Sequence, residues 1–294
     1  MSFILPTVET LTALRARMDG YGADQARTAL VPTMGALHEG HLSLVRIAKR
    51  VADRVIVSIF VNPTQFAPGE DFEAYPRDMQ ADLKLLAQEG VDLVYLPSRP
   101  SMYQDDHSTS LIIGGVGDGL ETDHRPTFFH GVALVVNKLF NRVRPDIAVF
   151  GEKDFQQLAV IRRMVRDLDM PVEIIGAPIA RDAQGLALSS RNRYFDAEAL
   201  AVARQLNRIL FDARDHLQTG ADVATTLQHT HRNILDSGFS DVDYVSLADA
   251  TSLNLQNEGV VTDKSRLLIA AHCRGVRLID NCAVNAPTTE DTSL

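Results

Sequence analysis

The sequence predicts an α/β protein: a doubly wound parallel sheet followed by a smaller α+β domain. Two observations point to the sheet. Short β-branched runs alternate with amphipathic helical stretches as far as residue 175, and runs such as RVIVSIFV at residues 54–61 are apolar without alternation, as in strands covered on both faces. Glycine- and proline-bearing loops follow several of these runs, at the carboxyl ends where an open parallel sheet collects its ligands. A third observation sets the second domain apart: beyond residue 180 the rhythm changes to long helical stretches followed by strand-like runs. The expected domains are residues 1–178, Rossmann-like, and 179–294, the smaller α+β part.

Taken in order, Thr7 is expected to cap a helix over residues 7–18, with apolar positions at Val8, Leu11, Leu14 and Met18, before a Gly/Asp-rich turn. Residues 28–31 form a short buried strand that Pro32 and Gly35 break. A helix follows over 41–51, with Leu42, Val45, Ile47, Ala48 and Val51 on its apolar side. The strand at 54–61 ends at Asn62-Pro63. Helix 83–89, strand 91–96 and a fourth strand at 111–114 come next. Then follow helix 131–143, strand 146–150, helix 155–168 and strand 172–175. The second domain has helices over 197–219 and 221–235 and strands at 243–247, 265–272 and 276–279. The small polar tail from Ala286 is expected to be disordered.

Composition excludes several classes of protein. Twenty-nine basic against thirty-eight acidic residues give a formal net charge of −9, which repels polyanions, so nucleic acid is not an expected partner. No apolar window is long enough for a membrane span, and the amino-terminal MSFILPTVET lacks a signal peptide's basic start and cleavage site, so a cytoplasmic location is expected. Cys273 and Cys282 lack CxxC spacing and read as buried reduced thiols.

The chemistry concentrates in VPTMGALHEGH, residues 31–41. A strand feeds a helix there through a turn, and free backbone N–H groups at a helix start favour a docked phosphate. His38 and His41 sit three residues apart on one side of a turn, with Gly40 between them permitting close backbone approach. Alone, such a pair also fits a surface cluster or half a metal site. The HExxH type of metal site, however, needs a four-residue spacing on an unbroken helix. The loop resembles the HxGH element of the nucleotidyltransferase superfamily, and the longer PTMGALHEGH is similar to the first motif of the pantothenate synthetase family.

Three further motifs carry that resemblance over nearly the whole chain: NPTQFAP after the second strand, GEKDFQQL from Gly151, and LALSSRN from Leu186. The family resemblance implies an ATP-dependent ligase that joins pantoate to β-alanine through pantoyl adenylate, with release of pyrophosphate and AMP. It implies that His38, His41, Lys153, Ser189, Ser190 and Arg191 act on the phosphates. The ATP site would also include Met34, Gly35, Ala36, Leu37, Glu39, Gly40, Gly151, Glu152, Asp154, Ala180 and Leu188. Gln65 and Gln157 would hold pantoate. Gln156 and Gln157 are adjacent on a helix and cannot share a face, so Gln156 is expected to be structural. Asp154 either caps the helix or binds a ribose hydroxyl.

By resemblance the protein is a homodimer and Mg2+ accompanies ATP. No acidic cluster forms an evident metal site, Asp82 being a weak candidate ligand. Arg125 and Pro126 fit the family pattern, whereas His130 and Leu134 depart from it. Read without the family, GEKD is an exposed charged turn and SSRN a polar loop. Two other readings stay open: a cytidylyltransferase-like enzyme with a phosphorylated acceptor, and a non-catalytic nucleotide-sensing module.

Overall fold

The computed structural model describes residues 5–66 and 69–286. The expected disordered tail lies outside the described residues from 287 onward. The described chain divides into two compact units. One comprises the described residues up to Glu152 together with Gln156–Ala180; the other comprises Lys153–Phe155 and the described residues from Arg181.

In the first unit the elements run β1 (Thr7–Val8), α1 (Leu11–Ala23), β2 (Thr28–Thr33), α2 (Glu39–Val51), β3 (Arg54–Ile59), α3 (Met79–Gln88), β4 (Leu93–Tyr95), α4 (Arg99–Met102), α5 (Glu121–His124), α6 (Phe128–Val143), β5 (Ile147–Gly151), α7 (Phe155–Asp167) and β6 (Glu173–Ala177). The six strands are parallel, in the order β1-β4-β3-β2-β5-β6. This is the doubly wound α/β sheet that the sequence predicts. The chain moves outward from β2 in one direction through β3 and β4, then returns to place β5 on the other side of β2. The topological switch point therefore lies between β2 and β5, where ligand crevices open in such sheets.

Burial explains why the strand sequences lack alternation. Ala29, Val31, Val55, Val57, Ile147 and Val149 share one core cluster with Leu44, Val45 and Ala48 of α2. The intervening Leu30, Ile56, Leu93 and Ala148, on the opposite face, are also 0% exposed. Each of these valines, leucines and isoleucines contributes about 1.5–3 kcal/mol on leaving water.

The structure corrects several local expectations. Thr7 is not a helix cap. It pairs with Val94 in β1, while Thr10 caps α1 by accepting from Ala13 N at 3.2 Å. The helix then runs on through Gly20 and Gly22. Residues 111–114 form no strand, because β1 already occupies the free edge of β4, and Ile112 is 72% exposed. Pro32 does not end β2; pairing with β5 covers only Ala29 and Leu30, so the proline lies beyond the stretch held from both sides.

The second unit is α+β. Helices α8 (Ala197–Ala203), α9 (Gln205–Gln218) and α10 (Val223–Asp236) precede β7 (Asp241–Asp249), β8 (Leu255–Gln256), β9 (Ser265–Cys273) and β10 (Val276–Val284). The antiparallel order is β10-β9-β7-β8. The single helix expected over 197–219 is interrupted at Arg204, which ends α8 and begins α9. Leu206, Leu210, Ala213 and Leu217 of α9 share a core with Leu267, Ile269 and Ala271 of β9.

Lys153–Phe155 belongs to this unit, not to the first domain as its sequence position suggested. The Asn281 amide donates to Lys153 O at 2.9 Å, and the Arg266 guanidinium lies 4.2 Å from the Phe155 ring centroid. Ala180 closes the first unit.

Candidate active site

The turn from β2 into α2 is held from inside. Thr33 Oγ1 donates to Ser58 O at 2.8 Å and accepts from Gly35 N at 3.2 Å. Gly35 and Ala36 then adopt successive left-handed conformations, with φ of 80° and 50°, reversing the chain within two residues. A Cβ on Gly35 would stand 2.9 Å from Asp82 Oδ2.

Asp82, on α3, is 3% exposed. Its oxygens accept from Ala36 N at 2.9 Å and Leu37 N at 2.8 Å. Each oxygen thus holds one amide of the loop backbone, which gives this carboxylate a positioning role. Among the described residues no group of three or more His, Cys, Asp or Glu is placed to hold a metal.

His38 is the N-cap of α2 rather than a residue within it, and His41 is its third residue. Gly40 N donates to His38 Nδ1 at 3.1 Å, and His38 N donates to His41 Nδ1 at 3.4 Å, a reciprocal capping box built from two imidazoles. A backbone N–H can only donate, so each neutral ring carries its proton on Nε2. The ring centroids are 4.1 Å apart, tilted by 42°.

The expectation that the loop turns its amides outward is therefore corrected. Ala36 and Leu37 donate to Asp82, His38 and Gly40 to imidazoles, and His41 and Leu42 to His38 O. Glu39 is exposed and pairs with Arg46.

The turn after β3 lies against this loop. Gln65 Nε2 is 3.0 Å from Met34 Sδ, and Gln65 Oε1 accepts from Asn62 Nδ2 at 3.1 Å. Asn62 is 1% exposed and fully used: its Nδ2 also donates to Gly131 O at 3.1 Å, and its Oδ1 accepts from the hydroxyls of Thr64 and Tyr103, both at 2.9 Å. Arg125 Nη2 donates to Gln65 O at 3.0 Å while the same guanidinium pairs with Glu70 and Glu121. Gln65 is thus oriented from three sides.

Gly131 makes this packing possible. A Cβ there would stand 2.2 Å from Thr64 O and 2.8 Å from Gln65 N, both backbone atoms. Gly131→Ala is expected to lower stability by about 1–3 kcal/mol and displace the Gln65 turn. Denaturant unfolding measures the first effect and a crystal structure the second; wild-type stability with the turn unmoved would contradict the expectation. His130 and Leu134 flank this glycine on α6, Leu134 being buried.

Gly151 ends β5, adjacent to β2 in the sheet, and Glu152–Asp154 form a 3-10 turn leading into α7. Lys153 Nζ is 3.9 Å from Asp154 Oδ1. Gln156 is buried, its Oε1 accepting from Glu121 N and its Nε2 donating to Val116 O at 3.2 Å. Gln157, next to it, is half-buried.

In the second unit, Arg181 bridges Ala187 and is held bidentately by Asp280 at 2.6 and 2.8 Å. Asp182 accepts from the amides of Gln184 and Leu186 and from Arg204. Burial raises the Asp182 pKa, but these bonds outweigh it and hold the carboxyl below its ordinary range. Beyond this base, Leu188 and Ser189 are half-buried. Ser189 caps the 3-10 turn Ser190–Tyr194 by accepting from Arg191 N at 3.3 Å. Its hydroxyl proton is not used by that bond. Ser190 is buried and Arg191 half-buried.

The first unit thus sets Met34 against Gln65 and His38 against His41 in the loops that follow β2 and β3, with Gly151 on the strand beside β2. Asp82, Asn62 and Gly131 went unnoticed as positioning residues. Asp82 left a trace, an acid four residues before Leu86 on the buried side of α3. Gly131, an isolated glycine in an apolar helix, left another.

A doubly wound sheet with a histidine-bearing loop at its switch point belongs to the class of α/β proteins that bind ligands at the carboxyl ends of their strands. The family model for pantoate-beta-alanine ligase matches residues 6–283. A pantothenate synthetase of Sphingopyxis alaskensis is 57% identical over 256 residues, covering 87% of this chain and 91% of that protein. Among solved structures, a pantothenate synthetase from Thermus thermophilus matches with a TM-score of 0.89 at 40% identity, over 95% of this chain and 99% of that one. Pantoate-beta-alanine ligase from Francisella tularensis, solved with beta-gamma ATP and beta-alanine, matches with a TM-score of 0.80 at 32% identity, over 95% and 97%. The chain belongs to the pantoate–β-alanine ligase family.

Proposed function

We infer that this chain joins pantoate to β-alanine using ATP, as its family does, and that it proceeds through pantoyl adenylate. The pantoate carboxylate attacks the α-phosphorus and pyrophosphate leaves. The β-alanine amine then attacks the acyl carbon, and AMP leaves with the anhydride oxygen. A free carboxylate does not acylate an amine at neutral pH, whereas the mixed anhydride has a good leaving group. The enzyme's part is positioning and charge neutralisation.

The observation that carries this reading is the imidazole pair at the start of α2. With both Nδ1 atoms tied to backbone amides, the two Nε2–H groups are fixed donors that stabilise charge developing on the α-phosphate without reorganising. In this reading Lys153 and Arg191 supply cations to the phosphates, Ser189 and Ser190 hydroxyls to the leaving pyrophosphate. The remaining ATP contacts come from the residues 34–41 and 151–154, Ala180 and Leu188. In this reading the loop at residues 188–191 of the second unit closes on bound ATP. Mg2+ would travel on the ATP phosphates, because the described residues include no group of three or more His, Cys, Asp or Glu placed to hold it. No step is assigned to it. A cytoplasmic homodimer completes the proposal; no helix among the described residues is long and apolar enough to cross a membrane.

AMP formation that requires both pantoate and β-alanine is the deciding assay. A cytidylyltransferase-like enzyme would release pyrophosphate with a phosphorylated acceptor instead, and a sensor would bind ATP without turnover. Either result would displace the ligase reading.

Gln65 and Gln157 would orient pantoate as neutral amides. A cation against the nucleophilic carboxylate would stabilise the ground state and blunt its attack. Gln157→Glu is nearly isosteric and is expected to raise the pantoate KM steeply at neutral pH while sparing ATP binding. Two carboxylates side by side in a half-buried site cannot both ionise easily, so lowering the pH protonates one and recovers part of the loss. Pantoate kinetics across pH test this; an unchanged KM removes Gln157 from the site.

A further inference from the structure

A second cationic site lies outside the loops described above. Lys138 and Arg142, one helical turn apart on α6, line a cavity of about 230 Å³ with Ser101, Met102, Gln104 and His107. Arg142 donates to Tyr95 Oη at 2.7 Å, to Ser101 Oγ at 3.2 Å and to Ser101 O at 2.5 Å, all neutral acceptors. Lys138 Nζ stands 5.6 Å from the Tyr103 ring centroid. Neither residue has a carboxylate partner among the described residues, and the nearby acids Asp105 and Asp106 are exposed and do not line the cavity. Burial, and then the charge of Arg142, depresses the Lys138 pKa, as expected of two cations sharing a cleft without a counter-ion.

The donors match one kind of ligand. A guanidinium already fixed by three bonds, a flexible ammonium, a serine hydroxyl and an imidazole together suit a compact oxyanion with several acceptor oxygens. The volume is small for a nucleotide but ample for a phosphate group. We propose that this cavity binds a phosphate-type oxyanion and that its occupancy is transmitted to Gln65.

The route is Tyr103. Its ring lies within 5.6 Å of Lys138 Nζ and 5.3 Å of the His107 ring centroid, and its hydroxyl donates to Asn62 Oδ1 at 2.9 Å. Asn62 in turn holds Gln65 Oε1 at 3.1 Å. An anion that draws Lys138 off the Tyr103 face changes the position of a ring that orients Asn62. The transmission rests on reading Gln65 as a pantoate ligand, whereas the binding does not.

Binding is tested by calorimetric titration of the full chain with inorganic phosphate, in the presence of saturating ATP and without pantoate, against a chloride-matched control. One phosphate per chain is expected, with affinity lowered roughly tenfold or more in Lys138→Gln. Phosphate binding that disappears when ATP is added, or that survives Lys138→Gln intact, overturns the site. A parallel titration with glycerol 3-phosphate separates sources: binding as tight as inorganic phosphate supports a phosphate monoester as the occupant, and its failure supports the free ion. The transmission is tested by the pantoate KM with and without phosphate. The KM is expected to shift in the wild type and not in Lys138→Gln or Tyr103→Phe; a wild-type KM indifferent to bound phosphate overturns the transmission alone.

Discussion

Asp82→Asn is expected to slow AMP formation by up to about 10²-fold, although Asp82 touches no substrate in the proposed mechanism. The carboxylate receives the amides of Ala36 and Leu37 immediately after two left-handed residues. Each bond from an amide to a charged acceptor is worth about 1.5–3 kcal/mol, so the pair weights this loop conformation by about 3–6 kcal/mol. Asparagine keeps the size but turns an NH2 group toward one of two N–H donors. One bond is then lost and one buried donor is left unsatisfied. Losing about 3 kcal/mol lowers the ratio of held to released loop roughly 150-fold, and the rate falls by that factor once the released form predominates. Hydrogen exchange at Ala36 and Leu37 should accelerate in parallel with the loss of rate. Full activity with unchanged exchange would show that the loop holds itself.

His41→Ala is expected to reduce the rate of adenylate formation by about 10²–10³-fold while leaving the ATP dissociation constant within a few-fold of wild type. In the proposed mechanism the Nε2–H donor faces the charge developing on the α-phosphate, so its value lies in the transition state. His41 also accepts from His38 N at 3.4 Å, and alanine would loosen that half of the capping box. The long bond makes the structural share small, on the order of 0.5 kcal/mol at the weak end of such bonds. Single-turnover kinetics with pantoate and ATP, beside a direct measurement of ATP binding, separate the two effects. Equal losses in binding and rate would return His41 to a capping role.

Some of this site was legible in the residue string because the physics involved is local. Gly35, the strand before it and the apolar spacing after it announce a strand-turn-helix, and the adjacency of Gln156 and Gln157 alone means that one must face away from the other. In the structure Gln156 is buried beneath α5. Other features were illegible because they depend on partners distant in the chain. Asn62 and Gln65 meet Gly131 across 69 and 66 positions, and Asp82 reaches Ala36 across 46. Thr7 shows the same limit at a helix boundary: its capping chemistry is ordinary, and only the free edge of β4 makes it a strand.

What the sequence by itself determined is the set of parts: βα units with glycine and proline at their carboxyl ends, a smaller α+β half, and the four motif loops. Apolar periodicity and turn chemistry act over a few residues, so these can be read in order. The tertiary structure decided the strand order that puts the switch point between β2 and β5, and the capping geometry that assigns the imidazole protons. It also decided that the amides of Ala36 and Leu37 serve Asp82. The strand order and the Asp82 bonds depend on partners distant in the chain, a choice that no local window of residues contains, whereas the imidazole cap closes within three residues and is decided by the backbone path that the turn takes.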